Sequence, residues 1–233
     1  MAKKDNNKGH GNDLFENPEV LAEEISKFEE FLEKNKAATF GFVALLFIVV
    51  GGYFGYNYYI EGENRKAQSD MFQAVYYFEA DSLNLALDGD GNNLGFKDII
   101  SDYSGTAAAN LSYYYAGVSF LKKGDFKSAI LYLEDFSSSD ILIQAKAYAL
   151  MGDAYMEQND YENAVTLYNK AASYKENSYF SPSYLMKAAL AYEKLEDKQG
   201  AIKCYEKIVN DFSEASEVND AKKHKARLSA KAS

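Results

Sequence analysis

Ala116-Gly117-x-x-Phe120, followed by Gly124-Asp125-Phe126 and Ala129-Ile130-x-x-Leu133, decides the fold of this chain because it returns twice. Displaced by 35 residues it reads Met151-Gly152-x-x-Tyr155, Asn159-Asp160-Tyr161 and Ala164-Val165-x-x-Tyr168. Displaced by a further 37 it reads Ala188-Ala189-x-x-Tyr192, Glu196-Asp197 and Ala201-Ile202-x-x-Tyr205. Self-similarity at such a period marks stacked supersecondary units. Gly117, Gly152 and Ala189 are small where two antiparallel helices would approach, and Ala129, Ala164 and Ala201 are small on the facing helix. The aromatics fill the volume between neighbouring copies, so each helical hairpin lacks a buried face without the next. The expectation is an all-α chain with an α-solenoid of three repeats over 106–215.

The flanks extend this reading. Asn64 to Leu87 has Ala67, Met71, Phe72, Val75, Tyr76, Phe78, Leu83 and Leu87 at helical spacing, with no glycine or proline from Ser69 to Asp88. Asp88-Gly-Asp-Gly-Asn-Asn-Leu-Gly95 breaks that helix, and Phe96 to Tyr103 forms a short one, so 61–105 reads as a leading helical hairpin. The broken stretch imitates a calcium loop through Asp88, Asp90 and Asn92. Asn93 stands where the sharp-turn glycine belongs and Ile99 where the bidentate glutamate belongs, which argues against calcium. At the other end, Glu217 and Asp220 precede Lys222, Lys223, Lys225 and Arg227 on one last helix. Acid at its start and base at its end suit the helix dipole, so 216–233 reads as a capping helix and tail.

Toward the amino terminus the composition changes. From Ala37 to Ile60 there is no charged residue, and Phe40, Phe42, Val43, Leu45, Leu46, Phe47, Ile48, Val49, Val50, Phe54 and Ile60 favour a bilayer by about 3 to 7 kcal/mol together. As a helix this run extends about 36 Å, enough to cross a hydrocarbon core of about 30 Å. Tyr53, Tyr56, Tyr58 and Tyr59 crowd its second end as an interfacial belt does, and the run is too long and too deep in the chain for a cleaved signal peptide. We therefore expect a single transmembrane anchor over 37–60, with Gly51 and Gly55 as a small-xxx-small pair for transmembrane packing. Lys27, Lys34 and Lys36, with Lys3, Lys4 and Lys8, outnumber Arg65 and Lys66 across the span, which predicts the amino terminus inside and the repeats outside. In a bacterium that means an inner-membrane, single-pass protein with a cytoplasmic amino terminus and a periplasmic repeat domain.

Before the anchor, 1–16 is polar and Lys/Asn-rich and is expected to be disordered. Asn17-Pro18-Glu19 starts a helix over 17–36 that sets Val20, Leu21, Ile25, Phe28, Phe31 and Leu32 against Glu23, Glu24, Glu29, Glu30 and Glu33. Its polar face is acidic where a membrane-surface helix is usually basic, so it reads either as a docking helix for a protein partner or as a solvated spacer.

Composition narrows the function. The 233 residues carry 25 Lys+Arg against 35 Asp+Glu, and a net charge of -10 lacks the counterion-release attraction that holds proteins on nucleic acid. One cysteine, Cys204, and two histidines, His10 and His224, exclude a disulfide framework within the chain and a Cys/His metal cage. No Ser/His/Asp constellation is visible and the carboxylates follow helix-surface spacing. We expect no enzyme, no cofactor, no metal and no nucleic acid.

The period and residues resemble the tetratricopeptide repeat: a small pair then an aromatic on the first helix, a polar turn, and Ala then an aromatic on the second. In that family the first helices line a concave groove. Carried over residue by residue, the resemblance implies Leu111, Tyr114, Val118 and Leu121 from the first copy, Lys146, Ala149, Leu150, Asp153 and Met156 from the second, and Ser183, Met186, Lys187 and Leu190 from the third. Tyr114, Val118 and Leu150 occupy places where the repeats that grip chaperone carboxy-termini have asparagines and bases, so such a carboxylate clamp is disfavoured. Tyr, Leu and adaptable Met suit an extended segment with apolar anchors.

The layout of tail, anchor, leading helices and repeats resembles the membrane-anchored ancillary subunits of the bacterial Sec translocon. Tyr103-Ser-Gly-Thr106 and Phe212-Ser-Glu-Ala-Ser216 are similar to turns of bacterial envelope repeat proteins, without their proline. This resemblance implies a scaffold beside the channel whose partners are translocon subunits, a periplasmic chaperone or unfolded clients. Two alternatives stay open: an adaptor for cell-envelope or division machinery, and a ligand-sensing regulatory subunit. Converging polar groups in a pocket would indicate the sensor, and a continuous open groove would indicate peptide binding.

Overall fold

Each helical hairpin of this protein turns on the same few hydrogen bonds. The computed structural model describes residues 18–230, without the side chains of 18–20, 23 and 24. The tail 1–16 and the Asn17 cap lie outside the described residues, and so do the Val20, Glu23 and Glu24 side chains of the amphipathic pattern. The chain divides into two compact units, with the boundary after Tyr59.

In the first unit, α1 (Pro18–Lys34) is followed after Asn35 by α2 (Lys36–Glu79), whose 44 residues run across the boundary. Leu21, Ile25, Phe28 and Phe31 of α1 are exposed. Its Glu30 meets Lys34 at 2.6 Å, and Glu33 meets Lys36 at 3.6 Å. Among the described residues α2 is the one helix long and apolar enough to cross a membrane, and none of its apolar window is buried.

The second unit begins with the remainder of α2 and continues through α3 (Leu83–Asp88), α4 (Phe96–Asp102), α5 (Ala107–Lys122), α6 (Phe126–Asp135), α7 (Ile141–Glu157), α8 (Tyr161–Ser173), α9 (Ser181–Lys194), α10 (Lys198–Asp211) and α11 (Val218–Ala230). The hairpins α5–α6, α7–α8 and α9–α10 are the three copies. In each, the first helix ends on a left-handed residue: Gly124 (φ 78°), Asn159 (φ 59°) and Glu196 (φ 60°). The amide of the next residue reaches back to an aromatic residue's carbonyl, Asp125 to Phe120 at 3.0 Å, Asp160 to Tyr155 at 2.9 Å and Asp197 to Tyr192 at 2.9 Å. The same three aspartates then cap the second helices, accepting from the amides of Ser128, Asn163 and Gly200. Two helix ends are thus satisfied by one two-residue turn.

The end of α2 repeats this turn without its sequence signature. Asp81 is left-handed (φ 57°) and the Ser82 amide donates to the Tyr77 carbonyl at 2.8 Å. The expected helix from Asn64 to Leu87 is therefore broken at Ala80 to Ser82, because aspartate tolerates the left-handed region and needs no glycine there. The second helix of this leading hairpin comes in two pieces, α3 and α4, on either side of the Asp88 to Gly95 loop. In that loop Asp90 accepts from the Tyr77 hydroxyl (2.6 Å) and the Asn92 and Asn93 amides (2.8 and 2.7 Å), while Asp88 pairs with Lys97 at 2.6 Å. These carboxylates hold the loop shut. The second helices of all four hairpins end on an aromatic: Tyr103, Phe136, Tyr174 and Phe212.

The core is a row of clusters at the hairpin junctions. Ala74, Ala86, Leu87, Phe96 and Ala116 join the leading hairpin to the first copy. Tyr114, Leu133, Phe136, Ala147 and Met151 join the first to the second. A larger cluster runs from Ala145 through Tyr168 and Tyr205 to Val218, Ala221 and Leu228 of α11, which closes the array. Arg227 of α11 also bonds Glu193 at 2.5 Å, and Lys225 meets Glu206 at 2.9 Å.

Gly152 marks the tightest point of a hairpin. A Cβ there would sit 2.7 Å from Tyr168 Cε1, and one at Gly117 would sit 2.6 Å from Leu133 Cγ. Gly152→Leu should overpack the second copy by about 1 to 3 kcal/mol or more, read as a lower melting temperature of a 60–233 fragment. Glu196 holds, without being glycine, a conformation that costs an L-residue about 1 to 2 kcal/mol. After the extra chain entropy lost by glycine, Glu196→Gly should stabilise the same fragment by about 0.5 to 1 kcal/mol in urea titration.

Candidate partner-binding groove

The first helices α5, α7 and α9 run in sequence along one side of the array because each second helix packs behind its own first helix and in front of the next. Of the residues expected on this surface, Leu111, Val118, Leu150, Asp153, Met156, Met186 and Lys187 are half-buried and Leu190 is exposed. Tyr114 is not available there. Its ring is 8% exposed and packs 5.3 Å from the ring of Phe136 in the cluster with Leu133, Ala147 and Met151. The bulk that suggested a groove anchor instead fills the junction between two copies, and burial pushes the Tyr114 hydroxyl up to about 12. Ala149, weighed with the same set, is also buried.

The structure brings Asp153, Met156 and Lys187 together. With Leu121, Lys122, Gly124, Phe126, Glu157 and Tyr168 they line an open depression of about 600 Å³. Lys187 of α9 reaches back across the repeat boundary and binds both oxygens of Asp153 on α7, at 2.7 and 2.8 Å. The Tyr168 hydroxyl donates to the same carboxylate at 2.7 Å, and the Lys187 ammonium lies 5.7 Å from the centre of the Tyr168 ring. Burial, and then the bond to Asp153, push the Tyr168 hydroxyl well above its ordinary range. With side chains 41% and 30% exposed, the Lys187–Asp153 pair adds about 1 kcal/mol at most. Its effect is to neutralise Asp153 and Lys187 against each other within a depression that Lys122 and Glu157 also line. The part of Tyr168 is invisible in sequence, where it reads only as the volume-filling aromatic of the second helix.

Residues 145–178 and 183–215 match the family model of the tetratricopeptide repeat. Those two segments are tetratricopeptide repeats. The two matched segments are the second and third copies, and the helix-ending turn they share with α5–α6 and with α2–α3 extends the same geometry over four hairpins. Among solved structures the fold is similar to the nearly identical TPR-like repeats of a Podosopora anserina kinesin light chain, with a TM-score of 0.52 and 16% identity over 71% of this chain and 86% of that one. A single-substitution variant of that protein gives 0.51 and 15% over 71% and 85%. At this identity the likeness is one of fold. No curated protein sequence matches the chain. Tetratricopeptide repeats generally mediate protein–protein interaction and are generally non-catalytic. No cluster of His, Cys, Asp and Glu among the described residues could hold a metal ion. Cys204 is buried beside Tyr205, and burial pushes its thiol up to about 11, so it serves as packing.

The buried tyrosines set an alkaline limit. A phenol whose value is raised on folding supports stability below its unfolded value, near 10, and loses that support as pH climbs to its folded value. For Tyr114 that window is pH 10 to about 12 and amounts to about 2 to 3 kcal/mol at its upper end. Tyr114→Phe should flatten the fall of stability between pH 10 and 12, as followed by urea titration of the 60–233 fragment.

Proposed function

We propose that this protein is a non-enzymatic, membrane-anchored scaffold whose repeat domain binds protein partners or unfolded clients through the concave side of its first helices. The observation that carries the reading is the wholly unburied apolar run of α2, continuous in one helix with the first wall of the repeat array. A core helix of a soluble protein would bury that run, and here the apolar residues from Phe40 to Tyr59 find no cover among the described residues. A bilayer supplies it.

The groove supports a peptide-binding reading over a ligand sensor. Its polar atoms do not converge on an empty centre, since Asp153, Lys187 and Tyr168 satisfy one another. Leu111, Val118, Leu150, Met156, Met186 and Leu190 offer aliphatic and thioether contacts that adapt to varied side chains, which suits a segment with apolar anchors. The anchor layout and lysine bias support an amino terminus in the cytoplasm with the repeats in the periplasm, and the resemblance to ancillary translocon subunits supports a scaffold beside the Sec channel. Tethering raises local concentration, so such a groove works at modest affinity. Gly51 and Gly55, whose missing side chains would meet nothing within 4 Å in this chain, give the anchor a face that a second membrane helix can approach closely.

The protein should stay with membranes through a carbonate wash, and protease added to spheroplasts should digest the part beyond Glu61 and spare the tail. Replacing Ala37 to Ile60 by an unrelated apolar helix should keep location and folding but reduce copurification of channel subunits. Leu150→Ala with Met186→Ala should weaken client crosslinks several-fold and leave channel copurification unchanged. Release of the protein by carbonate overturns the anchor, and loss of the same partners in both variants overturns the division between anchor and groove.

A further inference from the structure

The shared turn gives all four hairpins a common register, with Tyr77, Phe120, Tyr155 and Tyr192 at the same place. The residue just before it is Ser119, Ala154 or Ala191 in the three inner first helices, and each is completely buried against the preceding hairpin. In α2 that residue is Tyr76, and it is 58% exposed. Four residues earlier stands Phe72, 71% exposed, in the register of Tyr115, Leu150 and Lys187, all half-buried. At the Tyr76 position every other first helix is covered, whereas this face of α2 carries two large aromatics in the open.

Another hairpin in the ordinary stacking register cannot cover it. That register needs a serine or alanine where Tyr76 stands, because the neighbouring helix packs directly onto it. A helix laid alongside meets a different pattern. Gly62, Arg65, Ser69, Phe72 and Tyr76 recur at spacings of 3, 4, 3 and 4, the seam of a two-stranded parallel pairing. Ala67, Ala74 and Phe78 lie on the opposite side and are buried or half-buried in the array. A Cβ at Gly62 would meet nothing within 4 Å, so the backbones have room to close. The positions flanking the seam choose the occupant. Glu61 precedes the seam and Lys66, bridged at 2.7 Å to Glu63, follows it five residues on, the offset at which unlike charges meet between parallel copies of one helix. Gln68 and Gln73 repeat the offset with two amides. Arg65, within the seam, keeps its charge in water by extending its stem along the helix.

We infer that a second copy of this chain covers Phe72 and Tyr76, with residues 61–79 of two α2 helices paired in parallel. The repeat arrays then occur in twos.

The test uses the full chain in detergent micelles with Cys204→Ser as background. Light scattering should give the mass of two chains, and oxidation should link Ser69→Cys into a covalent dimer while Lys97→Cys, off the seam, stays unlinked. Phe72→Ala with Tyr76→Ala should raise the dissociation constant at least tenfold with helix content unchanged. Glu61→Lys should weaken the dimer, and adding Lys66→Glu to it should restore the dimer. A monomer mass, equal linking at positions 69 and 97, a dimer indifferent to loss of both rings, or a charge swap that fails to restore pairing overturns the inference. A crosslink from position 69 to another protein also overturns it and gives that face to a different partner.

Discussion

A helix that must end and a second helix that must begin within two residues is the constraint on which this array depends. At Asp81–Ser82, Gly124–Asp125, Asn159–Asp160 and Glu196–Asp197 the first residue is left-handed and the amide of the second returns to a carbonyl five residues back. In the last three the aspartate side chain also receives the first amides of the next helix. Buried helix ends without such partners would cost several unpaired backbone groups each. Because the turn is so short, the two helices leave it nearly in contact. That closeness then dictates Gly117 against Leu133 and Gly152 against Tyr168. Only one of the three copies pays no strain at the turn, since Gly124 alone is free of a Cβ.

Small residues on the facing first helix leave room for the second-helix aromatics, which also reach the junctions between hairpins. Tyr114, Phe136, Tyr168 and Tyr205 are all buried there, and the tyrosine hydroxyls find acceptors at the edge, Asp153 for Tyr168 and Glu193 for Tyr205. Those two carboxylates in turn hold a base from the following element, Lys187 or Arg227. The second copy is thus joined to the third, and the third to α11, by the same sequence of contacts, phenol to carboxylate to base, laid over an apolar junction. The groove is what remains of the first helices after the junctions have taken their share.

Most of this was legible in residues that repeat. The pairs Ala116-Gly117, Met151-Gly152 and Ala188-Ala189 announce three hairpins, and the aspartates at 125, 160 and 197 announce their turns. The leading hairpin shows in sequence as an apolar periodicity with a broken loop, but its turn does not, because Asp81 and Ser82 imitate the geometry of Gly124 and Asp125 without the residue types. The groove is less legible than the fold. Tyr114 and Val118 are one helical turn apart, and a small rotation of α5 decides which of them faces a neighbour; the sequence pattern carries no such precision. The Asp153–Lys187 pair joins residues 34 apart in different copies, so it depends on the offset between repeats, which no spacing within a repeat encodes.

The leading hairpin is tied to the first copy by side chains of α2 and of the turn that ends it. Asn64 of α2 caps α5 from outside, accepting the Ala108 amide at 2.9 Å, and Asp70 receives the Tyr103 hydroxyl. Met71 receives the Ser112 hydroxyl, and Asp81 binds Lys122 at 2.8 Å. A cap of this kind is worth about 1 kcal/mol, and the loss of Ala67 and Ala74 from the junction adds to it. The first wall of the array is thus the carboxy-terminal third of the same helix that carries the proposed anchor. No loop residue intervenes between Ile60 and Asn64 within α2, so the contacts that fix the leading hairpin begin directly at the unit boundary.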